Sequence, residues 1–185
     1  MEKNKSEVTT VEIITGGRQS GKTTALMTAA FENSGYGPVV IEIKNDAHRK
    51  FVRRQLARCI GKGGHRINHL PSVKERREAM AMYFDGTAPD YDEEVIAQLL
   101  EYANIAVVAD HIAYFKERGG VVKSTSLMVD DCRDMKDLVA LSKNPTNSEF
   151  RRIVGVFSDP ADDGVYEGLD LPDGFVKNPM LDMMQ

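Results

Sequence analysis

The sequence predicts an α/β fold, a three-layer αβα arrangement around a mainly parallel central sheet. Three observations predict it. Short β-branched runs alternate with longer stretches of helical spacing. The first of those runs passes through a glycine-rich turn straight into a helical pattern. The length of 185 residues suits one domain with a real core and leaves little room for a second.

In chain order, residues 1–10 read as an N-terminal tail and 11–15 (V-E-I-I-T) as a buried strand bounded by glycines. A helix over 23–32 follows and stops near Asn33, Ser34 and Gly35. Residues 38–44 (P-V-V-I-E-I-K) form a second strand. Asn45 or Asp46 caps the next helix, which runs to Ile60 and is ended by Gly61, Gly63 and Gly64. Residues 66–70 read as a short strand, and Ser72 caps a further helix with Glu75 at capping-box spacing.

Across 92–118, Val95, Ile96, Leu99, Leu100, Ala103, Ala106 and Val107 keep helical spacing up to Gly119 and Gly120. That pattern predicts one long or broken helix, with 105–109 readable alternatively as a strand ending at Asp110. A strand over 124–129, a helix over 131–142 and a strand over 152–157 complete the alternation. The predicted domain is 11–160. The Asp-, Gly- and Pro-rich stretch 161–185 reads as a C-terminal loop or tail.

Composition narrows the function class. No run approaches the roughly 18 apolar residues of a membrane span, and the opening M-E-K-N-K-S-E lacks the apolar core of a signal peptide. Cys59 and Cys132 stand alone, which suits a reducing interior. A cytoplasmic protein with no membrane partner is expected. The net charge of −4 conceals an asymmetry. Between Lys44 and Arg77 basic residues far outnumber Asp46 and Glu75, whereas acids dominate over 85–101 and from Asp130 onward. Arg49, Lys50, Arg53, Arg54 and Arg58 fall on the helix after the second strand. They read either as a solvated face or as a surface for nucleic acid, double-stranded DNA in particular.

The chemistry centres on G-G-R-Q-S-G-K-T, which matches the G-x-x-x-x-G-K-[ST] phosphate loop in full. In that pattern Gly16, Gly17, Arg18, Gln19, Ser20 and Gly21 turn successive backbone N–H groups inward as an anion nest. The next helix points its N-terminus at the same phosphates, and Thr24 lies in its first turn. Lys22 neutralises the terminal phosphates and Thr23 ligands a magnesium ion, so ATP and Mg2+ are the expected cofactors. Hydrolysis needs a carboxylate on the magnesium shell at the end of an apolar strand. S-L-M-V-D-D supplies Asp130 for that role and Asp131 to polarise the attacking water. Two alternatives stand beside these: Asp131 as a mere helix cap, and Asp110 as the metal-side acid.

In R-R-I-V-G-V-F-S-D-P, Ser158 with Asp159 reads as a γ-phosphate sensor. Arg151 or Arg152 reads as solvated or as an arginine finger toward a neighbouring subunit. His65 and His69 lack a third ligand for a metal site, and the tail methionines read as packing or a peptide contact.

The order of these pieces resembles the additional-strand P-loop ATPases, and most of all the compact ATPase domains of viral genome-packaging motors, of both terminase large-subunit and FtsK/HerA-like type. G-R-Q-S-G-K-T-T resembles their phosphate loops, L-M-V-D-D their magnesium motif, and F-R-R-I-V-G-V-F-S the strand carrying their sensor. The likeness spans residues 10–160, though only the phosphate loop is specific. It implies ATP hydrolysis coupled to moving double-stranded DNA in a homo-oligomeric ring, in the host cytoplasm if the chain is viral. Two departures matter. Their catalytic acid is commonly Glu, one methylene longer than Asp131, and this chain has no room for the terminase nuclease domain. The same loop and second strand also resemble thymidine kinases, whose zinc-binding cysteine loop the two cysteines here do not build. A nucleotide-binding interaction module with little hydrolysis is the third reading, favoured by Asp131 standing where Glu is common.

Overall fold

Six strands form one sheet in the order β3-β2-β4-β5-β1-β6 in the computed structural model, which describes residues 10–15, 21–83, 90–120, 122–132, 135–142, 148–157 and 175–177. The strands are β1 (Thr10–Ile14), β2 (Val39–Glu42), β3 (Ile105–Val108), β4 (Val122–Cys132), β5 (Ser148–Phe157) and β6 (Phe175–Lys177). Each pairing among them is parallel. Parallel neighbours need crossover connections, and these supply the two helical layers.

The alternation of side chains along each strand decides what covers which face. Ile14, Val39, Ile41, Ile43, Met128 and Val154 join one buried cluster. It is covered by α1 (Lys22–Ser34), α2 (Asp46–Gly61), α3 (Val73–Tyr83), α4 (Glu93–Tyr102) and a 3-10 helix over Gly64–His69. Val11, Ile13, Ile153 and Phe157 face the other way, onto Leu138 of α6 (Met135–Ser142). The ring of Phe115, on α5 (His111–Glu117), packs edge-on to Phe150 at 5.9 Å between centroids, so α5 belongs to this second layer. The αβα architecture is therefore the one the alternating runs predict.

Three expectations need correction. The stretch 92–118 is not one helix but α4, β3 and α5. Asn104 takes a left-handed φ of 61° and turns the chain out of α4. Ile105 and Val107 then alternate with half-buried neighbours as β3 pairs with β2. A period of two over four residues is hidden when the flanking helices share its apolar residues. Residues 66–69 lie in the 3-10 helix instead of a strand, with Leu70 as its C-cap, because Gly63 (φ 85°) reverses the chain and Ile67 plugs the helical core. The stretch after 160 is not only loop, since β6 docks beside β1.

The capping signals hold as read. Asn45 Oδ1 accepts from His48 N at 2.9 Å. Ser72 Oγ accepts from Glu75 N at 3.1 Å while Glu75 Oε2 accepts from Ser72 N at 3.1 Å, the reciprocal capping box.

Candidate functional site

Because all strands run parallel, their carboxyl ends share one edge, and a crevice there is the expected ligand site of an open α/β sheet. A cleft of about 330 Å³ lies on that edge, lined by Lys22, Thr23, Ile43, Lys44, Asn45, His48, Asp130, Asp131 and Val156. The cleft thus joins the start of α1, the exit of β2, the first turn of α2 and the ends of β4 and β5.

Gly21 is the N-cap of α1 and sits at φ 85°, a left-handed conformation that suits glycine. It swings the chain so that Lys22 and Thr23 begin the helix at the cleft wall, with no acidic residue in the first turn to oppose an anion. Thr24 continues that turn, its carbonyl accepting from Thr28 Oγ1 at 2.8 Å. Gly16, Gly17, Arg18, Gln19 and Ser20, and likewise Ser158 and Asp159, lie outside the described residues.

Opposite α1 stands the carboxylate pair. The register of β4 against β5 shifts between Val129 and Cys132, so Asp130 and Asp131 occupy an irregular strand end, where such bulges re-aim side chains. Asp131 takes a left-handed φ of 56°, and its N–H donates to Asp130 Oδ1 at 2.9 Å. The other oxygen, Asp130 Oδ2, lies 2.8 Å from His48 Nε2, and the Asp130 side chain is 11% exposed. The hydrogen bond to Asp130 raises the His48 pKa above its ordinary value, against the opposing effect of burial. Asp131 is exposed at the end of β4, ahead of α6.

Asp110, the alternative metal-side acid, is not among the residues lining this cleft. It caps α5, accepting from Ile112 N at 2.8 Å and Ala113 N at 3.2 Å. With Glu42 and His111 it forms a cluster whose ligand-type atoms lie within 4.8 Å of one another. The cluster is occupied internally, since Glu42 Oε2 accepts both the His111 backbone N–H (2.9 Å) and a close hydrogen bond from Nδ1 of the same ring.

Arg152 lies elsewhere. It stands opposite Thr10 in the sheet register, toward the amino-terminal side, and bridges Glu12 at 3.0 Å. Arg151 ties β5 to the end of α1 through Asn33 Oδ1 at 2.6 Å. Neither lines the cleft of its own chain.

The basic residues of α2 are largely engaged within the protein. Arg49 pairs with Asp46 at 2.7 Å and donates to the Ile43 carbonyl at 3.0 Å; Lys50 pairs with Asp46 at 2.9 Å. Arg53 reaches Glu93 at 3.4 Å, and Arg58 is paired with Asp90. Arg54 is exposed and has no ion pair among the described residues. The charge asymmetry of the sequence is in part this match between α2 and the acidic segment leading into α4.

Sequence reasoning missed Lys44, Asn45 and His48 as cleft residues. A signal was present. The helix predicted after the second strand starts on the same sheet edge as the glycine loop, and a cap at Asn45 places His48 in its first turn. The two cysteines offer no chemistry here, as burial pushes both thiols up to about 12.

The donors facing the cleft suit a hard divalent cation with a phosphate ligand: a hydroxyl on Thr23, a carboxylate on Asp130, and Lys22 as a fixed charge. Compared with known proteins, the chain matches no family model, no curated protein and no solved structure.

Proposed function

We propose that the protein is a P-loop nucleoside triphosphatase, binding Mg-ATP and hydrolysing it to act on nucleic acid, with viral DNA packaging as the leading biological reading. The observation that carries the proposal is convergence. A complete phosphate-loop sequence leads into Lys22 and Thr23, and these face Asp130 and Asp131 across one cleft. The strand order adds support. β5 is interposed between β1, which enters the glycine loop, and β4, which ends in the carboxylate pair, in keeping with the additional-strand class that the sequence resembles.

In this reading Lys22 binds the terminal phosphates, while Thr23 and Asp130 hold the magnesium shell. A bound magnesium ion would neutralise charge building on the phosphates. Asp131, exposed at the strand end, orients water for attack. The glycine loop and the start of α1 position the phosphate chain.

A second reading, a nucleotide-binding module with little hydrolysis, is favoured by the intramolecular pairing of Arg49, Lys50, Arg53 and Arg58, which leaves Arg54 as the unpaired cation of the five among the described residues. The test is turnover of Mg-ATP with and without double-stranded DNA, in the wild type and in Lys22→Ala. Wild-type turnover that DNA stimulates and Lys22→Ala abolishes supports the first reading. Nucleotide binding with negligible turnover supports the second, and unchanged affinity and turnover in Lys22→Ala overturns both.

A further inference from the structure

We propose that His48 is a positioning residue for Asp130, holding the metal-side carboxylate in the orientation the magnesium shell requires. The inference rests on the nucleotide reading above and assigns to α2 a part in it.

Asp130 sits at an irregular strand end, where backbone geometry alone leaves a short carboxylate free to rotate about χ1 and χ2. Two donors from different elements remove that freedom. The Asp131 N–H engages Oδ1 at 2.9 Å, and His48 Nε2 engages Oδ2 at 2.8 Å. Each carboxylate oxygen has two acceptor sites, so both remain able to accept from metal-bound water after these bonds form. Magnesium keeps several of its waters in protein sites, which suits a carboxylate held in this way.

His48 is itself held. Its backbone N–H is bonded to the Asn45 cap at 2.9 Å. Its ring lies nearly parallel to Phe51, 14° between planes and 6.3 Å between centroids. The ring therefore reaches the cleft from a fixed helix start. Outer partners of this kind typically change metal affinity or activity about 10–100-fold when removed.

The experiment measures the affinity of a fluorescent ATP analogue in Mg2+ and in EDTA, for wild type, His48→Phe and His48→Gln. Phe keeps the ring stack on Phe51 but has no donor; Gln restores an N–H donor. The ratio of the two affinities is the contribution of magnesium. The expected result is a ratio lowered about tenfold in His48→Phe, largely restored in His48→Gln, with equal affinity in EDTA for all three. Thermal melts confirm that each variant is folded; if His48→Phe is not, His48→Leu takes its place as the donor-free variant.

A normal wild-type ratio that the donor-free variant retains overturns the His48 proposal and leaves the nucleotide reading intact. The His48 proposal is equally overturned if affinity falls by the same factor with and without Mg2+, or if Gln behaves like Phe, because packing and not the hydrogen bond is then what matters. A wild type with no affinity for the analogue overturns the nucleotide reading, and the His48 proposal with it.

Discussion

Two carboxylates at the carboxyl edge of the sheet, Glu42 on β2 and Asp130 on β4, are each held by a histidine from the first turn of a helix. Glu42 is bound by His111 of α5 and Asp130 by His48 of α2. Both helices are capped by a side chain, Asp110 for α5 and Asn45 for α2. The device is the same and its setting is not. The Glu42–His111 side chains are 8% and 11% exposed, and neither residue lines the cleft. His48 is 34% exposed, and both it and Asp130 face Lys22 and Thr23. A carboxylate–histidine pair is therefore no signature of function by itself; what it faces decides.

The largest effect is expected at the cleft. Asp131→Asn should lower Mg-ATP turnover about 10²–10⁴-fold, the usual effect of removing a group that positions or activates a nucleophile. Its melting curve should stay close to the wild type, because Asp131 is exposed. Steady-state kinetics beside a thermal melt check both halves. On the other side, Glu42→Ala should cost about 1–3 kcal/mol of stability, since it leaves the buried His111 ring and backbone N–H without their acceptor. Urea unfolding measures this, and the folded fraction should bind nucleotide as the wild type does.

Acid sharpens the contrast. Burial alone would raise the Glu42 pKa, but the hydrogen bonds from the His111 ring and backbone N–H outweigh it and hold the value below the ordinary 4.5. A depressed carboxyl stabilises the fold fully above its unfolded pKa and loses that contribution as pH falls through the folded value. The stability gap between wild type and Glu42→Gln should thus narrow as pH falls below 4.5. Urea melts across that range test the sign.

Smaller effects follow from the helix starts. Asn45→Ala should cost about 1 kcal/mol through the lost cap, and it should also lower the contribution of Mg2+ to nucleotide affinity, because His48 hangs from that turn. Arg54→Glu should stay within about 0.5 kcal/mol of the wild type. If α2 meets nucleic acid, the same substitution should still reduce DNA affinity, and more so at low salt.

How much of this is legible in the sequence depends on how local the signal is. The strands of β1, β2, β4 and β5 declare themselves as β-branched runs, and the caps at Asn45 and Ser72 are read from single residues and their spacing. The start of α1 and the carboxylate pair are legible for the same reason. β3 is not, because its four residues fit the helical period of their neighbours until pairing with β2 decides the matter. The ion pairs of α2 with Asp90 and Glu93 are also hidden, since a charge run does not state whether its partner is another segment or another molecule. His48 is hidden in a third way. Its partner Asp130 lies far along the chain, brought near only because β2 and β4 are neighbours in the sheet.

The short strand β6 has a consequence for the other end of the domain. Phe175, Val176 and Lys177 align with Val11, Glu12 and Ile13, so β1 is hydrogen-bonded on both sides. The strand that delivers the glycine loop is therefore shielded from solvent-side pairing by a segment far downstream. A chain cut after Phe157 would turn β1 into an open edge, with its N–H and C=O groups exposed as a template for another chain. Greater self-association of the truncated domain than of the full chain would be the visible mark of that lost seal.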